Sequence, residues 1–187
     1  MSPNPCKNIP SAPTDWLALA SWEQVHLDEI DLADRTFVCR TEADLTDLIA
    51  SLRTHGLLQP LRLRRRGDGR LQVVCGWRRL LGLQHLGWTT VPAIILPLVT
   101  PDPWCLLAVL EDNRGSSGFN LIETARLVSR FAAYCSPEQL CREILPRLGQ
   151  PGTETHLAAL QSLLLLEPAY QELVAAGRLT LATAARL

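Results

Sequence analysis

The run Val74-Cys75-Gly76-Trp77-Arg78-Arg79 carries the residue types of an anion site. A strand pattern ends in glycine and a helix pattern opens on two arginines. Free backbone N–H groups and the positive helix end would then point outward, and glycine would let a phosphate approach. Arg78 and Arg79 would add charge-assisted hydrogen bonds; a solvated arginine pair on a surface helix is the alternative. Glu111-Asp112-Asn113-Arg114 is the second candidate. There a carboxylate beside an amide suits a divalent metal carried by a triphosphate, and Arg114 suits the phosphate itself. A third group, Arg62, Arg64, Arg65, Arg66 and Arg70, gathers five guanidinium groups within nine positions. It suits DNA phosphates, or equally a charged and solvated hairpin edge.

The elements that must position these residues follow from periodicity. Residues 1–24 hold Pro3, Pro5, Pro10 and Pro13 and read as a mobile arm. A helix is expected from Thr41, with Asp44 three residues on and an apolar stripe at Leu45, Leu48, Ile49 and Leu52. Gly56 closes it, and Gly56-Leu57-Leu58-Gln59-Pro60 leads into a strand. Leu61 to Arg64 and Leu71 to Cys75 form a hairpin around Gly67-Asp68-Gly69. A helix over Trp77 to Leu86 ends at Gly87. Val91 to Leu96 is a further strand, with Pro92 expected at a strand start or an edge, and Trp104 to Leu110 is helical. Beyond Leu121 every period is helical, over 121–134, 137–148, 154–166, 168–176 and 180–187. Asn120 and Glu123 have the spacing of a capping box. The expected fold class is α+β: a small mixed-sheet domain at 25–117, then an all-α domain at 118–187. The sequence stops at Leu187 inside an expected helix, which reads as truncation at the C-terminus.

Composition narrows the partners. The 187 residues are 47% hydrophobic, enough for a real core, and the formal net charge is −1, so no global field advertises nucleic acid. Lys7 is the only lysine, so the other seventeen of 18 basic residues are arginine, the better phosphate ligand. Six cysteines stand at 6, 39, 75, 105, 135 and 141 without a Cys-x-x-Cys pair, which argues against a common zinc site. The first residues show no secretory leader, and no apolar run spans a bilayer. A reduced cytoplasmic protein with buried thiols and no membrane contact is expected.

The order Gly-Leu-Leu-Gln-Pro, hairpin, Gly-Trp-Arg-Arg, Leu86-Gly87-Trp88-Thr89-Thr90-Val91-Pro92, Glu111-Asp112-Asn113-Arg114, Phe119-Asn120-Leu121-Ile122-Glu123 resembles the ParB branch of the ParB/sulfiredoxin fold. The resemblance runs from about Leu27 to Leu187. Ser136 to Leu148, Gly149 and His156 to Leu165 resemble the helix-turn-helix that follows in ParB proteins. It implies a nucleotide-gated DNA-binding protein of plasmid or chromosome partition, associated with the nucleoid or a plasmid. CTP with Mg2+ is the implied cofactor. Gly56, Gln59 and Pro60 would line the base and ribose, Gly76, Arg78 and Arg79 the phosphates, and Glu111, Asn113 and Arg114 the metal and triphosphate. A homodimer and a ParA-like ATPase partner are implied too, with dimerisation supplied beyond Leu187. Thr155 and His156 would face DNA with Arg62, Arg64, Arg65 and Arg66, although the second helix of the motif holds no arginine or lysine. Trp77 stands where the family has an acidic residue, and Leu81 and Gly82 replace its last arginine and alanine, which bears on CTP hydrolysis. No catalytic residue is assigned. The alternatives are a ParB-fold enzyme (a nuclease or nucleotide hydrolase) or a DNA-free interaction protein. Sulfiredoxin chemistry is disfavoured, because Trp77 stands where its cysteine belongs.

Overall fold

The computed structural model describes residues 20–40, 44–114 (backbone alone at Arg114) and 118–186. The arm up to residue 19, the helix start expected at Thr41, the switch expected at Ser117 and the end at Leu187 lie outside the described residues. The chain divides between Val109 and Leu110 into two compact units, residues 10–109 and 110–187.

In the first unit Ser21–His26 forms β1, so part of what reads as arm is strand. Only Val25 of its six residues is buried, which leaves no alternation to see in the sequence. β1 is an edge of a four-stranded sheet of order β1-β4-β2-β3. It pairs antiparallel with β4, Thr90–Leu96, and β4 runs parallel to β2, Leu61–Arg65. β2 and β3, Leu71–Cys75, form the expected hairpin, closed by Arg66 N–H to the Arg70 carbonyl at 2.9 Å. The start or edge position expected for Pro92 gives way to an interior strand. Pairing with β2 begins only at Ala93, so Pro92 has a strand neighbour on one side, opposite Gln24. Ile30 bridges Leu71, and the Asp31 N–H donates to the Leu71 carbonyl at 2.8 Å, which covers the outer edge of β3.

α1, Thr46–His55, starts later than the sequence predicts. The Asp44 carboxylate accepts from the Thr46 N–H at 2.8 Å, and this local turn displaces the start. Of the expected stripe, Leu52 is buried, Leu48 and Ile49 are half-buried, and Leu45 precedes the helix. α2, Trp77–His85, buries Leu80 and Leu83 completely. A Cβ on Gly82 would fall 2.7 Å from Leu52 Cδ1, so α1 and α2 approach closely there. Leu61, Leu63, Val73, Val91 and Ala93 supply the sheet side of the core. Fully burying one such side chain contributes about 1.5–3 kcal/mol. α3 runs from Asp102 to Arg114, longer than expected, and the boundary between the units falls within it.

The second unit is helical, with no strand beyond Leu121 among the described residues. α4, Leu121–Phe131, begins as predicted. Asn120 Oδ1 accepts from the Glu123 N–H at 2.9 Å, and the Asn120 N–H donates to Glu123 Oε2 at 3.0 Å. α5 covers 137–147 as one helical segment whose middle, Leu140–Ile144, is π-helical, with the Leu145 N–H reaching the Leu140 carbonyl. That wider turn relieves the clash the Pro146 ring would make with the Arg142 carbonyl. α6, Glu154–Ser162, continues as a 3-10 turn over Leu163–Leu165. α7, Pro168–Ala175, and α8, Leu181–Ala184, follow. Ile122, Leu127, Phe131, Ile144, Leu160 and Leu163 are the buried centre.

Candidate functional site

The N-terminus of α2 is built as an anion site should be. Gly76 takes φ +96°, and a Cβ there would lie 2.7 Å from Leu61 Cδ2, so both conformation and space require glycine. No side chain caps the helix, which leaves its first N–H groups to other acceptors. Arg79 Nη1 donates to the Gln59 carbonyl at 2.7 Å and the Pro60 carbonyl at 3.0 Å. The structure thereby brings together Gln59, Pro60, Gly76 and Arg79, which the sequence holds about twenty positions apart. Arg78 Nη2 donates to the Asp44 carbonyl at 2.8 Å. Two buried donors at this helix start lack partners, Trp77 Nε1 and Arg78 Nε. A glycine cradle and orphaned N–H donors are the chemistry a phosphate satisfies. Sequence reasoning missed Asp44 and also Arg35, whose guanidinium lies 5.1 Å from the centroid of the Trp77 ring. The only signal for Arg35 is one arginine in an otherwise acidic stretch.

The arginine hairpin is extensively paired with the chain's own carboxylates. Arg64 Nη1 meets Asp102 at 2.7 Å and the Thr100 carbonyl at 2.8 Å, and Nη2 meets Gln72 Oε1 at 2.7 Å. Its side chain is only 15% exposed. Arg65 pairs with Glu23 at 2.9 Å. Arg66 Nη1 meets both Asp31 at 3.0 Å and Asp34 at 3.1 Å, and Nη2 lies 3.6 Å from Asp68. Arg70 lies 3.9 Å from Asp31. Arg62 sits beside Ile94 on β4 and opposite Cys75 on β3. Burial opposes ionisation of Asp34, but hydrogen bonds from Thr36 and Gln72 and the Arg66 charge outweigh it, holding its carboxyl below the ordinary 3.8. A lowered native value means the stabilisation is present above the unfolded value. The Asp34 contribution to the thermal stability of the α/β unit is therefore expected to be constant with pH well above about pH 4. As pH falls through the lowered native value the contribution is lost. An Asp34→Asn variant should flatten that acid limb of a melting-temperature profile, and an unchanged limb would refute the assignment.

Glu111 and Asn113 lie near the C-terminal end of α3, on the 110–187 side of the boundary; the side chain of Arg114 is outside the described residues. Among the described residues no group of three or more His, Cys, Asp or Glu is placed to hold a metal. All five described cysteines are buried, and burial pushes the Cys105 thiol up to about 12. Such a thiol stays protonated at pH 8. The native protein should thus resist alkylation at Cys105, and Cys75→Ser should leave ligand binding nearly intact. Fast iodoacetamide labelling of native Cys105, followed by mass spectrometry, would contradict this.

In the helical unit Thr155 is exposed on α6. His156 is half-buried, its Nε2 2.9 Å from Gln150 Oε1, and burial lowers its pKa. Thr153 caps the helix, its Oγ1 accepting from the His156 N–H at 3.3 Å. A Cβ on Gly152 would overlap the Cys141 carbonyl oxygen, so the turn before α6 lies tightly on α5.

Residues 18–106, nearly all of the α/β unit, match the family model of the ParB N-terminal domain. A nucleoid occlusion protein of Halalkalibacterium halodurans is 30% identical over 156 residues, covering 81% of this chain and 53% of that protein. A solved Pnob8-like ParB-N domain shares the fold at a TM-score of 0.60 and 14% identity, over 89% of this chain and 78% of that one. C-terminally truncated ParB from Caulobacter crescentus, solved in complex with the centromeric parS site, does so at 0.50 and 23%, over 87% and 82%. The first unit is thus a ParB-type α+β domain. The chain spans about half or less of the length of the curated relatives it matches. No helix among the described residues is long and apolar enough to cross a membrane.

Proposed function

We propose that this chain is a nucleotide-responsive DNA-binding protein of the partition or nucleoid-occlusion type. The observation that carries the nucleotide half is the start of α2. It combines an uncapped helix end, a glycine that admits no side chain, two arginines and two orphaned buried N–H donors. CTP with Mg2+ is the proposed ligand. Gly76, Arg78 and Arg79 hold its phosphates, Gly56, Gln59 and Pro60 its base and ribose side. For the metal and triphosphate, the resemblance to ParB proteins implies Glu111, Asn113 and Arg114. When bound, the nucleotide supplies concentrated negative charge with its metal; the protein's residues bind and orient it, and binding alone shifts a conformational equilibrium. The name of the Halalkalibacterium relative supports the cellular role. A homodimer, a ParA-like ATPase partner and a nucleoid- or plasmid-associated location belong to the same proposal.

DNA contact is proposed for Thr155 and His156 on α6 and for Arg62, Arg65 and Arg66. A phosphate at Arg65 or Arg66 has to displace a carboxylate, so these contribute less than their number suggests. Arg64, buried in its own network, serves mainly the fold. Two measurements test the proposal. Calorimetric titration with a panel of nucleoside triphosphates, with and without Mg2+, should select one nucleotide. A salt titration of duplex binding should give a slope of log K on log salt near about −2, for two phosphates neutralised. Absence of both responses would leave a DNA-free interaction protein on a ParB fold.

A further inference from the structure

The face that α6 offers has a definite chemistry. Glu154, Thr155, Ala158 and Gln161 are exposed, whereas Leu157 and Leu160 are buried. At about 100° per residue, Thr155 and Gln161 bound an arc of roughly 120°, with Ala158 and Glu154 inside it. The neighbouring polar side chains are engaged within the unit. Thr153 caps the helix, His156 is held by Gln150, and the Ser162 hydroxyl donates to the Ala159 carbonyl at 2.8 Å. The Gly152–Cys141 approach fixes the turn that aims this face.

Each major-groove base edge demands a particular partner. Guanine presents two acceptors, which arginine or lysine would satisfy, and α6 has neither. Adenine presents an acceptor beside a donor, which a carboxamide matches in two bonds. Thymine presents a methyl group, which packs against the methyls of threonine and alanine. A carboxylate accepts from cytosine and is repelled by phosphate. We propose that α6 reads A·T base pairs in the major groove, with Gln161 on adenine and Thr155 and Ala158 on thymine methyls, while the DNA contact of His156 is to the backbone and not to a base. The inference rests on the DNA-binding reading above and deepens it by naming the class of sequence recognised. Three residues advance a helix by about 4.5 Å, against about 3.4 Å per base step along a strand. Successive readers therefore fall over neighbouring base pairs.

The test is selection of duplexes from a random-sequence pool by the 187-residue chain, followed by sequencing. Wild type, Gln161→Ala, Gln161→Arg and His156→Ala are compared, with helix content checked by circular dichroism. Wild type should enrich an A·T-rich consensus. Gln161→Ala should flatten the preference at one position by about tenfold, and Gln161→Arg should move that position from adenine to guanine. His156→Ala should weaken retention of all sequences without altering the consensus. A G·C-centred consensus, or the same consensus from both Gln161 variants, overturns the inference. Salt-sensitive retention with no consensus overturns it too but leaves DNA binding standing, whereas no retention of any duplex overturns both.

Discussion

Arg79→Ala is expected to weaken triphosphate binding by about a hundredfold, roughly 3 kcal/mol, the largest effect of any single change at the start of α2. The change removes a charged donor from the phosphates, worth about 1.5–3 kcal/mol. It also unties the Gln59 and Pro60 carbonyls that Arg79 holds at 2.7 and 3.0 Å, so the loop on the base side loses its anchor. Arg78, tied to one carbonyl only, should cost about tenfold when truncated. Arg79→Lys keeps the charge but cannot span two carbonyls and a phosphate, and should fall between. Calorimetry with the selected triphosphate checks all three, with a thermal melt to establish that the variants fold. Equal affinity in Arg79→Ala and wild type would place the nucleotide elsewhere.

Arg64→Ala should destabilise the α/β unit by about 3 kcal/mol, because it leaves the buried Gln72 carboxamide and the Thr100 carbonyl short of a donor and breaks the ion pair with Asp102. For a unit of this size that is a fall in melting temperature on the order of 10–20 °C. Arg65→Ala, which breaks a half-exposed pair with Glu23, should cost less than about 1 kcal/mol. Urea titration of the two variants separates these cases. If they match, Arg64 is not the buried tie described here. A variant that removes Arg64 together with its neighbours would report folding as much as DNA contact.

Local signals were legible in the sequence and distant pairings were not. The β2–β3 hairpin announces itself through alternation and Gly-Asp-Gly, and the start of α4 through Asn120 and Glu123. The glycine and arginines at the start of α2 are equally visible. β1 is not, because an edge strand with one buried residue has no pattern to show. The start of α1 is misplaced because the Asp44 turn competes with a helix cap that reads equally well. The arginine hairpin reads as free positive charge because the carboxylates at Asp31, Asp34, Glu23 and Asp102 stand between 32 and 42 positions away. The Arg79 tie to Gln59 and Pro60 is hidden in the same way, since only the fold brings those segments together.

The strip laid along β3 bears on self-association. Leu71–Cys75 is uncharged, rich in β-branched and apolar residues, and completely buried, the composition that recruits a strand from another molecule once its edge is bare. What covers it is short: the Ile30 bridge, one hydrogen bond from Asp31, and the grip of Arg66 on Asp31 and Asp34. Arg66 is therefore expected to guard this edge against aggregation, and its loss should raise the light scattering of concentrated protein along with a fall in melting temperature.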